Sequence, residues 1–526
     1  MKKIFQIWAA LVLAGTVQAA PAPDLIARIH FVGAQKISAD TNAVAFTNFF
    51  CSAEARALQA QTLDKLSRAP YLWLKEKIAA GAGDGAAQLR PLLEDLPKAE
   101  WFLDARSAAD GSSEFALAIR LDSSRAALWQ NNLAAVLESW TKSPPQKIAG
   151  GWQLTKQHPP NSVRFIRSGD WAVFSCEQAD FALGNGVVGK ISTTASKTYW
   201  LSLDADWTRV AKIFPALKLV DLPEAKLQVI GRDGNLRLDG KIISALPFAL
   251  SLDKWRLPTN TIHQPIISFT AARGISSWLQ KQSWAQSFLI SPVPNQIFFW
   301  AMAGIPFQTY VAVPVPDANA ALAQLHDKLA SPPATESQSQ LFMPLTMAMT
   351  NREITWSGMP FAAPSVRAVH EASGDFLVGG LFPNSPRSKP LPPELSARIV
   401  AANLVYYHWE ITSERLKLLL QPAQLSLMMT RHQQLAGESV AAKWLNYVGP
   451  TLGPATTDIT QTAPNELTFT RRASGGLTAV ELFALASWLE AANFPGCDLR
   501  LPPPRPKRFQ HPPVKLLSAP ATPATN

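Results

Sequence analysis

Apolar residues recur along this chain at two different spacings. From Ala53-Glu54-Ala55-Arg56-Ala57-Leu58 through Leu63, Leu66 and Leu72 to Trp73-Leu74 they return about every 3.6 residues, the helical period. Residues 24–80 therefore read as mostly helical, and Gly81 to Gly85 as a break. From Trp101 the pattern changes to short runs rich in Val, Ile, Phe, Tyr and Trp. Residues 101–105 and 115–121 read as strands, with Ser123 capping a helix that runs to Leu137. Residues 151–154, 163–166 and 171–176 read as hairpin strands. Residues 199–203 lead into a helix over 208–214. Residues 226–230 and 236–243 flank Asp233-Gly234, a strong signal for a two-residue hairpin turn.

The same order of elements recurs further along. Ser162-Val163-Arg164 followed by Ser168-Gly169-Asp170-Trp171 is echoed by Ser365-Val366-Arg367 followed by Ser373-Gly374-Asp375-Phe376. Residues 298–303, 309–315 and 320–329 repeat the first two strands and the helix after them. Residues 354–356, 366–370 and 376–379 repeat the hairpins. Residues 404–409 followed by Glu414-Arg415-Leu416 match 199–203 followed by Thr208-Arg209-Val210, and 467–469 match 227–229. Ordered matches of this length predict an internal duplication. Strands joined by both hairpins and helices predict an α+β fold: two tandem homologous copies of mainly antiparallel sheet, helices packed on one face, and a helical N-terminal segment. The expected divisions are 1–19, 20–100 (helical, belonging to the first copy), 101–257 (first copy), 258–491 (second copy) and 492–526 (a Pro-rich basic tail, expected to be disordered). Residues 331–339 and 383–393 read as loops.

The N-terminus reads as an export signal. Lys2-Lys3 is its basic start, residues 4–16 its apolar stretch, and Val17-Gln18-Ala19 a small-residue cleavage site before Ala20. The apolar run is too short for a spanning helix, and no Cys stands at the cleavage point for a lipid anchor. The mature chain is expected to be periplasmic or secreted.

Composition changes the picture in two places. The chain has 526 residues, 47% hydrophobic and 17% charged, enough for more than one sizeable core. The net charge of +10 invites a nucleic-acid reading, but the basicity is local. Without Lys2, Lys3 and the tail cations Arg500, Arg505, Lys507, Arg508 and Lys515, the body carries +3. Nucleic acid is therefore not an expected partner; the tail suits peripheral contact with an anionic membrane surface. Cys51, Cys176 and Cys497 are far apart, with no C-x-x-C, so zinc ribbons and thioredoxin-like motifs are disfavoured. Buried thiols or one disulfide of three pairings both fit.

Common catalytic signatures fail on inspection. Gly184-Asn185-Gly186-Val187-Val188-Gly189-Lys190-Ile191 approaches both phosphate-loop patterns. Ile191 cannot replace the metal-binding hydroxyl of one. The polar stretch Glu177-Gln178-Ala179-Asp180 interrupts the strand the other needs, even though Asp204 stands twenty residues on. A flexible loop is expected instead. Ser139-Trp140-Thr141-Lys142 and Ser251-Leu252-Asp253-Lys254 match S-x-x-K without the companion motifs of penicillin-binding enzymes. The eight histidines (30, 158, 263, 326, 370, 408, 432 and 511) are dispersed. His370-Glu371 and the pair His408 and Glu410, on one strand face, are close acid–imidazole neighbours; structural roles fit both. Asp204 and Asp206 share a face, but Asp206 is more simply a helix cap, as is Thr412 in the second copy. The seventeen tryptophans serve as core filling or as a lined groove for glycan or lipid.

The mature chain resembles uncharacterised exported bacterial proteins built from repeated strand–helix–hairpin units. The residues that carry this are Ala39-Asp40-Thr41-Asn42-Ala43, Glu54-Ala55-Arg56-Ala57-Leu58 and the paired S-V-R and S-G-D strings. The resemblance implies no known activity, and no catalytic, cofactor or metal residues are assigned. The expectation is an exported, non-catalytic cell-envelope or periplasmic protein that binds a protein, polymer or apolar ligand through its duplicated body. The alternatives are a hydrolase with its site at the interface of the copies, and a lipid carrier with a continuous apolar tunnel.

Overall fold

The computed structural model describes residues 24–74, 85–108, 111–155, 162–178, 180–194, 199–213, 223–282, 290–303, 308–330, 346–350, 352–358, 362–382, 393–420 and 439–496. The expected signal at 1–19, the tail beyond 496 with Cys497, and the loops at 331–339 and 383–392 lie outside them.

Ten strands come from the first half of the chain: β1 (Leu25–Phe31), β2 (Trp101–Ser107), β3 (Ser113–Arg120), β4 (Gln146–Ile148), β5 (Gly151–Leu154), β6 (Ser162–Ser168), β7 (Trp171–Glu177), β8 (Leu201–Asp206), β9 (Glu224–Arg232) and β10 (Asn235–Ile243). Their hydrogen-bonded order is β4-β5-β6-β7-β3-β2-β1-β8-β9-β10, antiparallel throughout. Ten more come from the second half: β11 (Ile266–Arg273), β12 (Gln296–Met302), β13 (Thr309–Val315), β14 (Thr346–Met349), β15 (Glu353–Ser357), β16 (Ser365–Glu371), β17 (Gly374–Gly380), β18 (Leu404–Ile411), β19 (Pro454–Ala463) and β20 (Glu466–Ala473). Their order is β14-β15-β16-β17-β13-β12-β11-β18-β19-β20, again antiparallel. The two series join where β10 pairs antiparallel with β20, from Leu236 opposite Ala473 to Ile243 opposite Glu466. The fold is thus α+β, with helices packed against one continuous sheet of twenty antiparallel strands.

Side-chain alternation sorts this sheet into two faces. On β19, Ala455, Thr457 and Ile459 are buried, while Thr456, Asp458 and Thr460 are only half-buried. The buried side, called here the back, carries most of the helices. Helix Ser123–Thr141 packs on Ile119, Phe165 and Ala172, and helix Ala318–Ala330 on Val315, Ala368 and Leu377. Over the join, helices Val44–Phe50 and Ala53–Leu74 of the first half meet Val440–Val448 and Ala479–Glu490 of the second. Their shared core holds Phe49, Ala55, Leu58, Trp444, Leu445 and Leu482. Phe49 and Trp444 meet edge to face with ring centroids 5.1 Å apart.

Several sequence expectations change. Residues 20–100 do not form a wholly helical segment, because Leu25–Phe31 is a strand. Its run of Leu, Ile and Phe is short and pairs on both sides, with β2 and β8, so tertiary pairing decides its state. Helices also occupy both faces: Ala182–Thr194 packs on Phe102, Ala116, Ala118 and Val173 at the front, and Leu395 of Pro393–Arg398, with Ile399, packs on the front-face core of the second series. The cap of the Ser123–Thr141 helix is Asp122, whose carboxylate accepts the Arg125 backbone N–H, one residue before the expected Ser123. Residues 227–229 lie in β9, whereas 467–469 lie in β20, which in strand order corresponds to β10; hydropathy alone does not separate two adjacent hairpin strands.

The hairpin expectations are met in detail. Asp233 and Gly234 both have positive φ, 54° and 71°, the geometry of a two-residue turn between β9 and β10. Each S-V-R string begins a strand, β6 or β16, and each S-G-D string lies at the turn into β7 or β17. Gly169 and Gly374 have φ of 58° and 126°, which explains the glycine in both strings. The strings are fold-forming.

Candidate functional site

The glycine string is helical. Residues 184–190 lie within the helix Ala182–Thr194 that follows β7, contrary to the flexible loop expected. Glycine's low helix propensity is overridden by the packing of Leu183, Val187 and Ile191 on the sheet. This strand-to-helix passage is what a phosphate-binding motif requires, yet the anion position is already filled. The buried carboxylate of Glu177 accepts the backbone N–H groups of Leu183 at 2.7 Å and Gly184 at 2.8 Å. An internal carboxylate thus takes the place at a helix N-terminus that a phosphate oxygen takes elsewhere. Gly184 is required by this arrangement, because a Cβ there would stand 2.7 Å from Glu177 Oε1 and 2.9 Å from Ser175 Oγ.

Nearly two turns further on, at Lys190, the helix reaches a charge cluster on the front of the sheet. Asp104 at the centre of β2 lies directly across from Arg28 of β1, and Arg28 across from Asp204 of β8. Asp104 has no solvent exposure. Its Oδ2 accepts from Arg28 Nη2 at 3.5 Å, from Arg106 Nη2 at 3.4 Å and from Lys190 Nζ in a short contact. A buried carboxylate requires such pairing, since an isolated ionised group in a low-dielectric interior is strongly unfavourable. Burial pushes the Asp204 carboxyl above the ordinary range; Lys226 and Arg28 oppose that, and neighbouring Glu224 adds to it. In the second series the row at the same place in the strand order, on the same face, is Trp300–Phe269–Trp409. It belongs to a packed core with Phe298, Tyr407 and Leu395. One backbone arrangement thus holds ion pairs at one end of the sheet and aromatic rings at the other.

A cavity of about 270 Å3 adjoins the cluster, between the N-terminal half of the Ala182–Thr194 helix and the ends of β2, β3 and β7. Arg106 and Lys190 line it together with Asp24, Glu114, Glu177 and Asp180. Arg28, Asp104 and Arg106 carry no motif in the sequence, and Lys190 stands out there only as the lysine of the glycine string. The usable signal was Asp104 and Arg106 at alternate positions of an otherwise apolar run, which puts both charges on one strand face.

The other candidate residues are dispersed. His408 and Glu410 do share the back face of β18, with Nε2 and Oε2 3.3 Å apart, and His408 Nδ1 meets Thr270 Oγ1 at 2.9 Å. Glu410 also accepts the Ala479 N–H at 2.7 Å, at the start of the Ala479–Glu490 helix. All three side chains are buried, and Glu410 ends the chain at that helix, so this hydroxyl–imidazole–carboxylate chain is a structural tie. A second tie runs from Tyr199 through His30 to Glu100, with both contacts at 3.0 Å. His370 Nδ1 meets Asp375 Oδ1 at 2.9 Å, not its neighbour Glu371. That hydrogen bond, followed by the Ala318 N–H, holds the Asp375 carboxyl below its ordinary range. Asp206 accepts the Arg209 N–H at 3.2 Å, as a helix cap does. The Ser251 hydroxyl donates to Asp253, and Lys142 takes the left-handed position that ends the Ser123–Thr141 helix. Trp129, Trp152, Trp200, Trp300 and Trp444 are buried in cores, while Trp488 is partly exposed. Cys51 is exposed and Cys176 half-buried, and no disulfide joins the two. Among the described residues no group of three His, Cys, Asp or Glu is arranged to hold a metal ion, and no helix is long and apolar enough to cross a membrane.

No family model matches this chain, and no curated protein or solved structure matches it.

Proposed function

We propose that the chain is an exported, non-catalytic cell-envelope protein, formed by tandem duplication, that holds an extended polar polymer on the front of its joined sheet. The duplication reading is supported by the identical strand order of the two series and by their antiparallel join through β10 and β20. Export is supported by Lys2-Lys3, the apolar stretch 4–16 and the small residues before Ala20.

The observation that carries the binding reading is the front of β9, β10, β20 and β19. Cross-strand rows there read Lys226–Lys241–Thr468–Thr460 and Gln228–Asp239–Thr470–Asp458. All eight are exposed or half-buried, and none belongs to a buried cluster. The rows span both series without interruption and offer hydroxyls, an amide and charges at the strand spacing of about 4.8 Å. A polymer lying across the strands meets a polar group at each step.

The hydrolase alternative is weakened by what the carboxylates on this face already do. Asp239 accepts from Arg237 and Thr470, Asp458 accepts a fork of two hydrogen bonds from Arg398, and Glu466 accepts from Lys241 and Thr462. The Lys241 hydrogen bond, then that of Thr462, holds the Glu466 carboxyl below its ordinary range, the wrong direction for a general base near neutral pH. The lipid-carrier alternative needs an apolar tunnel, and the cavity beside Ala182–Thr194 has charged walls.

The test is co-sedimentation of the mature protein with purified, insoluble cell-wall polysaccharide. A saturable fraction is expected in the pellet, reduced at least tenfold in the triple variant Gln228→Ala, Asp239→Ala, Thr470→Ala with its melting temperature retained. Wild-type protein that stays in the supernatant, or a variant that pellets equally, would refute the reading.

A further inference from the structure

Arg237 of β10 and Arg472 of β20 stand directly opposite each other on the front of the sheet, where the two series join. Like charges facing across a strand pair are unfavourable unless each meets an anion. Arg237 has one, with its Nε 2.8 Å from the Asp239 carboxylate. Arg472 is exposed, and among the described residues its guanidinium makes no ion pair or hydrogen bond.

The shortfall is confined to this one position. On the same face Lys226 pairs with Glu224 at 3.1 Å, Lys241 with Glu466 at 3.0 Å and Arg232 with Asp233 at 3.7 Å. Arg398 takes Asp458 of β19 at 2.9 Å. Asp239 and Asp458, the two carboxylates diagonal to Arg472, are therefore both committed to other arginines. Every other cation on the front of β9, β10 and β20 has a carboxylate, and Arg472 is the surplus. On its other side Arg472 faces Thr456 of β19, half-buried, whose hydroxyl is likewise without a hydrogen bond among the described residues. A guanidinium and a hydroxyl side by side are two donors for one anionic oxygen group.

We propose that the polymer held on this face is acidic, and that Arg472 and Thr456 take one of its anionic groups, a sugar carboxylate or a backbone phosphate. The proposal rests on the polymer reading above and narrows it from polar to anionic. Arg472 and Thr456 form the row next to Gln228–Asp239–Thr470–Asp458, so one chain lying across the strands reaches both rows. A neutral polymer would use the hydroxyls and the amide and leave Arg472 idle.

The experiment is co-sedimentation of the full mature protein with three preparations of one insoluble cell-wall polysaccharide: untreated, carboxyl-amidated and dephosphorylated. Wild-type protein is expected to bind at least one treated form about tenfold more weakly than the untreated form, and the form that loses binding names the anion. Arg472→Gln is expected to bind the untreated form as weakly as wild type binds the treated one, with its melting temperature retained or raised. Arg505→Gln, the same loss of charge in the basic tail, is expected to behave as wild type. Saturable wild-type binding that is equal on all three preparations would leave the polymer reading standing and overturn this one. An Arg472→Gln protein that still discriminates would overturn it too, as would an Arg505→Gln protein that loses as much, because the attraction would then follow net charge. Wild-type protein that pellets with none of the three refutes the polymer reading and this one with it.

Discussion

The carboxylate of Glu177 receives the backbone N–H of Gly184 at 2.8 Å, where a phosphate-binding helix would hold its anion. Residues seven apart in sequence thereby convert a nucleotide-like string into a self-capped helix. Glu177→Ala leaves the N–H groups of Leu183 and Gly184 buried without this acceptor. It is expected to cost about 1–3 kcal/mol by urea denaturation, with part of the loss recovered in Glu177→Gln. A neutral Glu177→Ala would show that water replaces the carboxylate freely.

Two glycines two residues apart should respond in opposite directions. At Gly184 a Cβ meets the Glu177 carboxylate and the Ser175 hydroxyl below 3.0 Å. Gly184→Ala is expected to destabilise by about 1–3 kcal/mol through overpacking. Gly186 faces open space, and Gly186→Ala should stabilise by about 0.5–1 kcal/mol through helix propensity. Denaturation midpoints with the same sign for both variants would contradict the packing described.

Asp104 is expected to be the most sensitive member of its cluster. Its side chain is fully buried against three cations, whereas Arg28 is 38% exposed. Asp104→Ala takes the shared acceptor from three partly exposed cations and should cost about 1–3 kcal/mol. Arg28→Gln, at a pair open to solvent on one side, should cost about 1 kcal/mol or less. Thermal melts of the two variants in parallel decide this.

Acid should weaken the back layer through Glu410. Burial by itself would raise its carboxyl, but the His408 hydrogen bond and charge, the Ala479 N–H and the Thr412 hydroxyl outweigh it and hold the group below its ordinary range. A depressed folded-state value means the stabilisation is present above the unfolded value, about 4.3, and is lost as pH falls through the folded one. Melting temperature is therefore expected to fall on acidification below about pH 4.5. Glu410→Gln should start lower and show a shallower fall; an unchanged slope would remove Glu410 from the account.

The join between the series should survive a cut chain. Fragments 20–257 and 258–526, coexpressed, are expected to co-elute, because β10–β20 pairing and the shared core around Phe49 and Trp444 bridge them. Trp444→Ala removes a large buried side chain and should cost the intact protein about 3–5 kcal/mol and disperse the fragments. Wild-type fragments that elute separately would indicate that the join depends on chain continuity.

Much of the local structure is written in short stretches. Asp233-Gly234 specifies its turn because both positions need positive φ, and the S-G-D strings mark turns for the same reason. These signals depend on neighbours within a few residues, so these turns and the strands beside them are legible without the fold, whereas residues 454–463, with Thr on both faces, show their strand only in the structure.

Tertiary structure alone decided the rest, because it depends on partners far apart in the chain. Leu25–Phe31 becomes a central strand only because Trp101–Ser107 and Leu201–Asp206 supply hydrogen bonds on either side. The string at 184–190 becomes helix because Leu183, Val187 and Ile191 find the sheet and Glu177 finds the helix end. Arg28, Asp104 and Lys190 stand 76 and 86 residues apart along the chain yet meet at one oxygen atom. Charge at a strand position reads the same whether it faces water or a buried partner; only the packing that removes the water distinguishes them.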